Sequence, residues 1–459
     1  MTQKLFGTDG IRGLANEFPM TGEIAMAVGR AVAHVLSSST TRGKTVSRRP
    51  RLVVGKDTRL SGYMIEQALA SGICSMGADV ILIGPLPTPG VAFVTQSMRA
   101  DAGIMISASH NPYYDNGIKI FSADGFKLPD ELEEEIERLV FSREIDRFRP
   151  TAEAVGKAYR IDDVHGRYIV FLKNLFPKNL DLVGMRIALD CANGAAYKAA
   201  PLVFEELGAE VVKKGVSPNG LNINDKCGAL HPSAIAEATV EYRADIGISL
   251  DGDGDRCILS DEKGEIVDGD QMIGLCALQM ASEKTLKKNG IVTTPMSNVG
   301  LEITLRDQGI SMVRAPVGDR YVVEAMRKGG YNLGGEQSGH IIFLDHSTTG
   351  DGIVAALKIL EVMRRTGKPL SELKKKIVLL PQSREDVRVT RKEPFEDHAE
   401  ITQAIAAAQA ALKDKGRVFV RYSGTEPVAR VMVEGESFAQ IQNLSRSIAT
   451  CIQRALGLP

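Results

Sequence analysis

Three carboxylates alternate with glycine at Asp251-Gly252-Asp253-Gly254-Asp255, and this is the clearest chemical signal in the 459-residue chain. The glycines let the backbone fold tightly, so the three side chains can converge on one hard divalent cation. With only three acidic ligands, such a cation keeps room for a substrate or phosphoryl oxygen. An acidic surface turn is the plain alternative. An EF-hand is the sharper one, because Glu262 stands twelfth counting from Asp251. It fails on detail: Arg256 occupies the sixth position, where the turn needs glycine, and the flanks read as strands.

A second group is Ser109 in ISASHNPYYDNGIKIF, next to His110 and followed by Asn111 and Pro112, which favour a turn that lifts the hydroxyl. The G-x-S-x-G elbow of α/β-hydrolases is absent, which weakens a serine-hydrolase reading. Lys119, between Ile118 and Ile120, can neutralise a phosphate, although a solvated edge lysine is the commoner case. In RYSGTEPVAR, Arg421 and Arg430 accompany the hydroxyls of Ser423 and Thr425 and the N–H of Gly424. Forked guanidinium groups with hydroxyls and a free amide suit a phosphate dianion that is gripped without reacting. In GGEQSGH, alternation along an extended segment would point Glu336, Ser338 and His340 the same way, toward sugar hydroxyls; a polar turn is the alternative. FGTDGIRG adds Arg12 among glycines as a further anion candidate.

The elements that must position these loops alternate between helix and strand. Helical periodicity at Glu23–Leu36 precedes the apolar run Arg51–Gly55, then helix-like Met64–Met76 and the runs from Asp79 and Gly103. The rhythm restarts at Met185–Asp190, with a helix over Ala195–Leu207 and a strand from Ala244, and again at Gly290–Pro295. The polar loops follow three of these apolar runs, where open α/β sheets collect ligands, so the three units are expected to share a cleft. The helix over Val354–Arg365 ends at Gly367 and Pro369. Beyond it a helix at Ala399–Leu412, two strands and a helix from Phe438 indicate a smaller α+β unit with an antiparallel sheet. The fold class is therefore α/β, with three similar domains at 1–160, 161–258 and 259–372 and a C-terminal α+β domain at 373–459. The stretch Ser37–Arg51 reads as a mobile loop, and Glu131–Glu137 as a solvated helix face.

Composition narrows the function. Lys plus Arg total 56 against 57 for Asp plus Glu, so the net charge of -1 lacks the field that nucleic-acid binding needs. No apolar run reaches the roughly 18 residues of a membrane span and no signal peptide opens the chain, which suits a cytoplasmic protein. The six cysteines form no CxxC pair and are expected to be idle thiols.

Taken in order, FGTDGIRG, SASHNPYYDNGIKIF, DGDGDR, GGEQSGH and RYSGTEPVARVM make the whole chain resemble the α-D-phosphohexomutases. FGTDGIRG, NGIK, Gln337 and VGDRY resemble the glucosamine branch more than the mannose/glucose branch. The resemblance implies four domains round a central cleft, with Ser109 as a phosphoserine and Mg²⁺ on Asp251, Asp253, Asp255 and the Ser109 phosphate. Glu336 and Ser338 would hold sugar hydroxyls, and Arg421, Ser423, Gly424, Thr425 and Arg430 the phosphate that is not reacting. Lys119 and Arg12 would lie near the transferred group with His110, Arg320 would help in the cleft, and His340 or Lys119 would be the general base. The implied reaction is an isomerisation of glucosamine 6-phosphate and glucosamine 1-phosphate through glucosamine 1,6-bisphosphate, feeding UDP-N-acetylglucosamine and peptidoglycan precursors. Its partners would be small sugar phosphates, with neither nucleic acid nor membrane, acting as monomer or homodimer. The alternatives are a phosphomannomutase or phosphoglucomutase with the same machinery, or a non-catalytic sugar-phosphate sensor.

Overall fold

The computed structural model describes residues 4–7, 9–38, 48–423 and 426–457. Three α/β units repeat one local device. A buried strand runs to its carboxyl end, a polar loop follows, and an antiparallel strand returns beside it. In the first unit these strands are Ala102–Ile106 and Asp115–Ser122, with Ile106 opposite Ile118. In the second they are Ile246–Leu250 and Cys257–Asp261, with Leu250 opposite Cys257. In the third they are Leu333–Gly335 and Ile341–Phe343, with Gly335 opposite Ile341. The outgoing strands pair in parallel, on their other side, with Arg51–Lys56, Arg186–Asp190 and Gly290–Thr293. Ser109, the aspartate trio and Glu336 therefore all stand at the carboxyl ends of parallel strands, where a sheet leaves room for ligands.

The first sheet has seven strands, and its edge is the hairpin of Phe6–Gly7 and Gly10–Leu14. Gly10–Leu14 lies against Asp115–Ser122 with Ile11 opposite Ile118, which carries Asp9 and Arg12 toward Lys119. The second sheet has five strands and ends at Ile266–Val267. The expected boundary at 258 falls inside the strand Cys257–Asp261, which pairs with Ile246–Leu250 of the second unit. The third sheet has four strands, and the C-terminal sheet is Gln382–Arg388, Val428–Gly435 and Gly416–Tyr422, antiparallel throughout.

The expected helices form, Ala399–Leu412 at the expected bounds, Phe438–Leu456 from the expected start, and Gly22–Ser38, Ser61–Cys74 and Gly352–Thr366 with ends shifted by one to three residues. The helix expected over Ala195–Leu207 is shorter, Ala199–Glu206, because turns occupy its first residues. Of the expected loop Ser37–Arg51, the first two residues end a helix and positions 39–47 lie outside the described residues.

One hydrophobic core runs from the inner face of the first sheet through the second unit into the third, joining Tyr168, Ile248, Ile273 and Leu360. The helix Gly352–Thr366 lies within it, buried on most sides and capped by Asp351, whose carboxylate accepts the N–H groups of Ile353 and Val354. Replacing Leu360 there by alanine would cost about 2–5 kcal/mol. The C-terminal unit has a core of its own around Ile401, Val431 and Ile448. Three units thus share a core that can hold three loops in fixed relation, and the fourth packs round a core of its own. All six cysteines are free, and among the described residues no helix is long and apolar enough to cross a membrane.

Candidate active site

Ser109 is buried and has a φ of 53°, in the left-handed region. That conformation costs a non-glycine residue on the order of 1–2 kcal/mol and persists only where neighbours fix it. Its hydroxyl donates to Asp251 Oδ2 at 2.7 Å and lies 3.2 Å from His110 Nδ1. The serine loop and the acidic loop therefore meet, although 142 residues separate them. Gly252 permits the approach: a Cβ there would lie 2.5 Å from the Ser109 carbonyl oxygen. Gly254 supplies the other need of the turn, a φ of 70°.

Asp251, Asp253 and Asp255 are all buried, and one oxygen of each lies within 4.8 Å of the others. Oδ1 of Asp253 and Oδ1 of Asp255 find no hydrogen-bond partner among the described residues. Buried, unsatisfied carboxylate oxygens are costly unless a cation meets them, so this donor set fits a hard divalent metal. Glu262, the residue an EF-hand would need, turns away and accepts from Ser371.

Lys119 is the fixed positive charge of the cluster. Its Nζ lies 2.9 Å from Asp253, 3.3 Å from Asp9 and 3.6 Å from Asp255. Burial opposes its charge, but those carboxylates outweigh it and raise the pKa above the ordinary lysine value. Burial likewise opposes the charge of Asp255, yet Lys119 and His340 hold its carboxyl well below the usual range. Asp251 moves the other way: burial, then Asp255 and Asp253, push it well above that range. His110, half-buried and facing Arg256 and Arg12, is lowered to about 4 and is neutral at pH 7.

Family profiles of the phosphoglucomutase/phosphomannomutase alpha/beta/alpha domains I, II and III match residues 3–146, 166–264 and 268–379, and that of the C-terminal domain matches residues 386–450. The chain belongs to this phosphoglucomutase/phosphomannomutase family. Among its relatives, a phosphoglucosamine mutase of Syntrophotalea carbinolica is 60% identical, over 100% of this chain and 99% of that protein. One of Myxococcus xanthus is 56% identical, over 100% and 98%. A crystal structure of a phosphoglucomutase/phosphomannomutase family protein from Burkholderia thailandensis superposes with a TM-score of 0.79 at 23% identity, covering 99% of each chain. The Aspergillus fumigatus N-acetylphosphoglucosamine mutase in complex with GlcNAc-6P and magnesium has the same fold, with a TM-score of 0.67 at 18% identity, covering 98% of this chain and 96% of that one.

Not every expected site residue of this family member sits as the sequence suggested. GGEQSGH is a tight turn, not an extended segment: the Gly339 N–H donates to the Glu336 carbonyl at 3.0 Å, and Glu336 N–H to the His340 carbonyl at 2.9 Å. Glu336 and Ser338 stay together, 3.4 Å apart through Oε2 and Oγ. His340 is folded under them, its Nδ1 3.6 Å from Asp255 and its Nε2 accepting the Gly350 N–H at 3.1 Å. Both ring nitrogens are thus engaged inside the protein, an arrangement that sets Asp255 in place. Arg320 does not join the aspartate cluster. It pairs with Glu133 at 2.5 Å and with Asp130, because the first-domain helix Asp130–Ser142 presents those acids to it. Glu133 is consequently buried, against the expectation of a wholly solvated acidic face.

Arg421 and Arg430 are cross-strand neighbours in the C-terminal sheet. With Arg384 of the same sheet and Met296 of the third unit they line a cavity of about 370 Å³. Ser423 is buried beside them, and Gly424 and Thr425 lie outside the described residues. Arg12 pairs with Asp9, which also meets Lys119 and Lys127. Four contributors escaped the sequence reading: Asp9, Thr88, Arg59 and Asn224. Thr88 donates to Asp253 Oδ2 at 2.6 Å, and Asn224 donates to the Ser109 carbonyl at 2.9 Å. Asp9 stands within FGTDGIRG, and Arg59 in the polar KDTRLSG that follows an apolar strand; Thr88 and Asn224 carry no comparable local signal.

Proposed function

We propose that the chain is an isomerase that interconverts glucosamine 6-phosphate and glucosamine 1-phosphate, the phosphoglucosamine mutase reaction, with Ser109 as phosphoryl carrier. The observation that carries this is the 2.7 Å hydrogen bond from the Ser109 hydroxyl to Asp251 inside a buried acidic trio. Phosphorylated Ser109 gives its phosphoryl group to the free sugar hydroxyl: the Ser109 Oγ–P bond breaks, the sugar O–P bond forms, and the hydroxyl proton leaves to a base. The resulting glucosamine 1,6-bisphosphate turns end for end and returns its other phosphate to Ser109. The metal would be Mg²⁺, held by Asp251, Asp253, Asp255 and the Ser109 phosphate, and it supplies positive charge to the transferring oxygens.

The chain's own residues fill the remaining roles. Lys119, kept protonated by three carboxylates, adds a second fixed charge near the transferred group and is unsuited to be the base. His110, neutral and 3.2 Å from Ser109 Oγ, can exchange a proton at Nδ1. Arg12 orders Asp9 beneath Lys119. Glu336 and Ser338 offer an acceptor and a donor to sugar hydroxyls, and Arg421, Ser423, Gly424, Thr425 and Arg430 grip the idle phosphate. Because that grip belongs to a unit with its own core, hinge motion between Gly367 and Arg391 lets the bisphosphate reorient without escape. The relatives named phosphoglucosamine mutase support the sugar, and a cytoplasmic place in amino-sugar and peptidoglycan-precursor synthesis goes with it. Turnover compared on glucosamine, mannose and glucose phosphates tests the reading. We expect kcat/KM to favour glucosamine phosphates by at least about 10-fold. A preference for mannose or glucose phosphates overturns the sugar assignment, and binding without turnover would leave only a sensor.

A further inference from the structure

Arg59 lies outside the site motifs, just beyond the strand Arg51–Lys56, yet it is fully buried at 0% exposure. All five of its N–H donors are used. Nε donates to Asp57 Oδ2 at 2.7 Å. Nη2 donates to the carbonyls of Ser109 at 2.9 Å and Asn111 at 2.8 Å. Nη1 donates to the carbonyls of Pro112 and, at 3.0 Å, of Asp115. Asp57 completes the unit: it accepts the Arg59 N–H at 3.0 Å and the Ser107 hydroxyl at 2.6 Å, and Ser107 Oγ accepts the Ser109 N–H at 2.8 Å. Ser109 is therefore held at both its N–H and its carbonyl by groups that trace back to one buried ion pair.

We infer that Arg59 is a positioning residue for phosphoryl transfer: its guanidinium clamps four carbonyls of the Ser109 turn, so that the serine keeps its left-handed φ and aims its hydroxyl at Asp251. The inference rests on the mutase reading above. A serine at φ of 53° relaxes unless its surroundings over-determine it. A planar fork with five donors can span four acceptors, and a lysine ammonium, a point charge with three, cannot. The four carbonyls are buried or half-buried and come from a single turn, so losing the fork lets the turn change shape rather than merely weaken. Phosphoryl transfer is sensitive to that shape, since a misplacement of about 1 Å can cost about 10²-fold in rate. Asn224 braces the same turn from the second domain, donating to the carbonyls of Ser109 and, at 3.1 Å, of Asn111.

The test is steady-state mutase kinetics on the full chain with Arg59→Lys, beside Leu69→Ala as a stability control. Leu69 is buried in the helix that follows Arg59 and touches no part of the turn's clamp. We expect Arg59→Lys to lower kcat by about 10²-fold with KM within about threefold of wild type, while Leu69→Ala lowers the melting temperature and keeps kcat. Should Arg59→Lys not fold, Asn224→Ala gives the second measurement, with kcat down by about tenfold at unchanged KM. An unchanged kcat in Arg59→Lys, or equal kcat losses in Arg59→Lys and Leu69→Ala, overturns the inference; so does an unchanged kcat in Asn224→Ala if the lysine variant fails to fold. Wild-type turnover measured alongside separates this outcome from failure of the mutase reading, which would show as no activity in any form.

Discussion

Ser109 Oγ and Asp251 Oδ2 stand 2.7 Å apart, each at the end of a different parallel strand and each held in a turn that the other loop helps to shape. The carbonyl of Ser109 fits against Gly252, and Asn224 of the second unit reaches the same carbonyl. The hydroxyl proposed as the phosphoryl carrier is thereby fixed beside three carboxylates suited to a cation.

Removing the metal is the broadest test of that pairing. Exhaustive chelation should lower turnover by at least about 10²-fold, with recovery on adding Mg²⁺, because transferring oxygens lose their main charge partner. The melting temperature should rise with added Mg²⁺ in the wild type and not in Asp253→Asn. Full activity after chelation, checked by elemental analysis, would contradict a metal role.

Lys119 neutralises Asp253, Asp9 and Asp255 at only 2% exposure. Lys119→Met should therefore cost about 3–5 kcal/mol of stability in the metal-free protein, since it leaves buried carboxylates uncompensated. Denaturant unfolding measures this, and a cost below about 1 kcal/mol, the scale of an exposed pair, would show that the cluster is not buried in solution.

Arg421 should act in binding and not in chemistry. Losing charge-assisted bonds worth about 1.5–3 kcal/mol corresponds to a KM higher by about 10- to 100-fold in Arg421→Ala, with kcat changed much less. A kcat defect at unchanged KM would move this residue out of the phosphate grip.

Asp270 gives a pH signature independent of the metal site. It is fully buried at the start of the helix Gly269–Ser282 and accepts the Asn298 N–H at 2.8 Å. Burial, with Asp268 nearby, raises its carboxyl from 3.8 to about 7. The folded state then keeps a proton that the unfolded chain releases, so this contribution is fully present below 3.8 and is lost as pH rises through about 7. Asp270→Asn should flatten the fall of stability across that window, measured by unfolding at several pH values. An identical slope in wild type and variant would remove the assignment.

Much of this was legible without coordinates because residue type itself carries chemistry. DGDGDR needs glycines and carboxylates for one purpose, and the three apolar strands that lead into polar loops placed the cleft. The helix Ala399–Leu412 was readable to the residue because its apolar positions keep one period between two breaks. What stayed hidden depends on distant partners. Arg59 and Asn224 look like ordinary polar residues until the fold brings the Ser109 turn between them. Alternation made His340 look like a partner of Glu336 and Ser338, but the turn at Gln337–Gly339 reverses the chain and buries the ring under Asp255. Arg320 carried a motif-like setting, and only the helix Asp130–Ser142 opposite it decides where its charge goes.

Intact-mass analysis of the purified chain, with peptide mapping, tests the carrier role of Ser109 most directly. The account predicts one phosphate, located on Ser109, that passes to added sugar monophosphate, together with its absence and the loss of turnover in a folded Ser109→Ala variant. A phosphate on another residue, or wild-type turnover in Ser109→Ala, would contradict it.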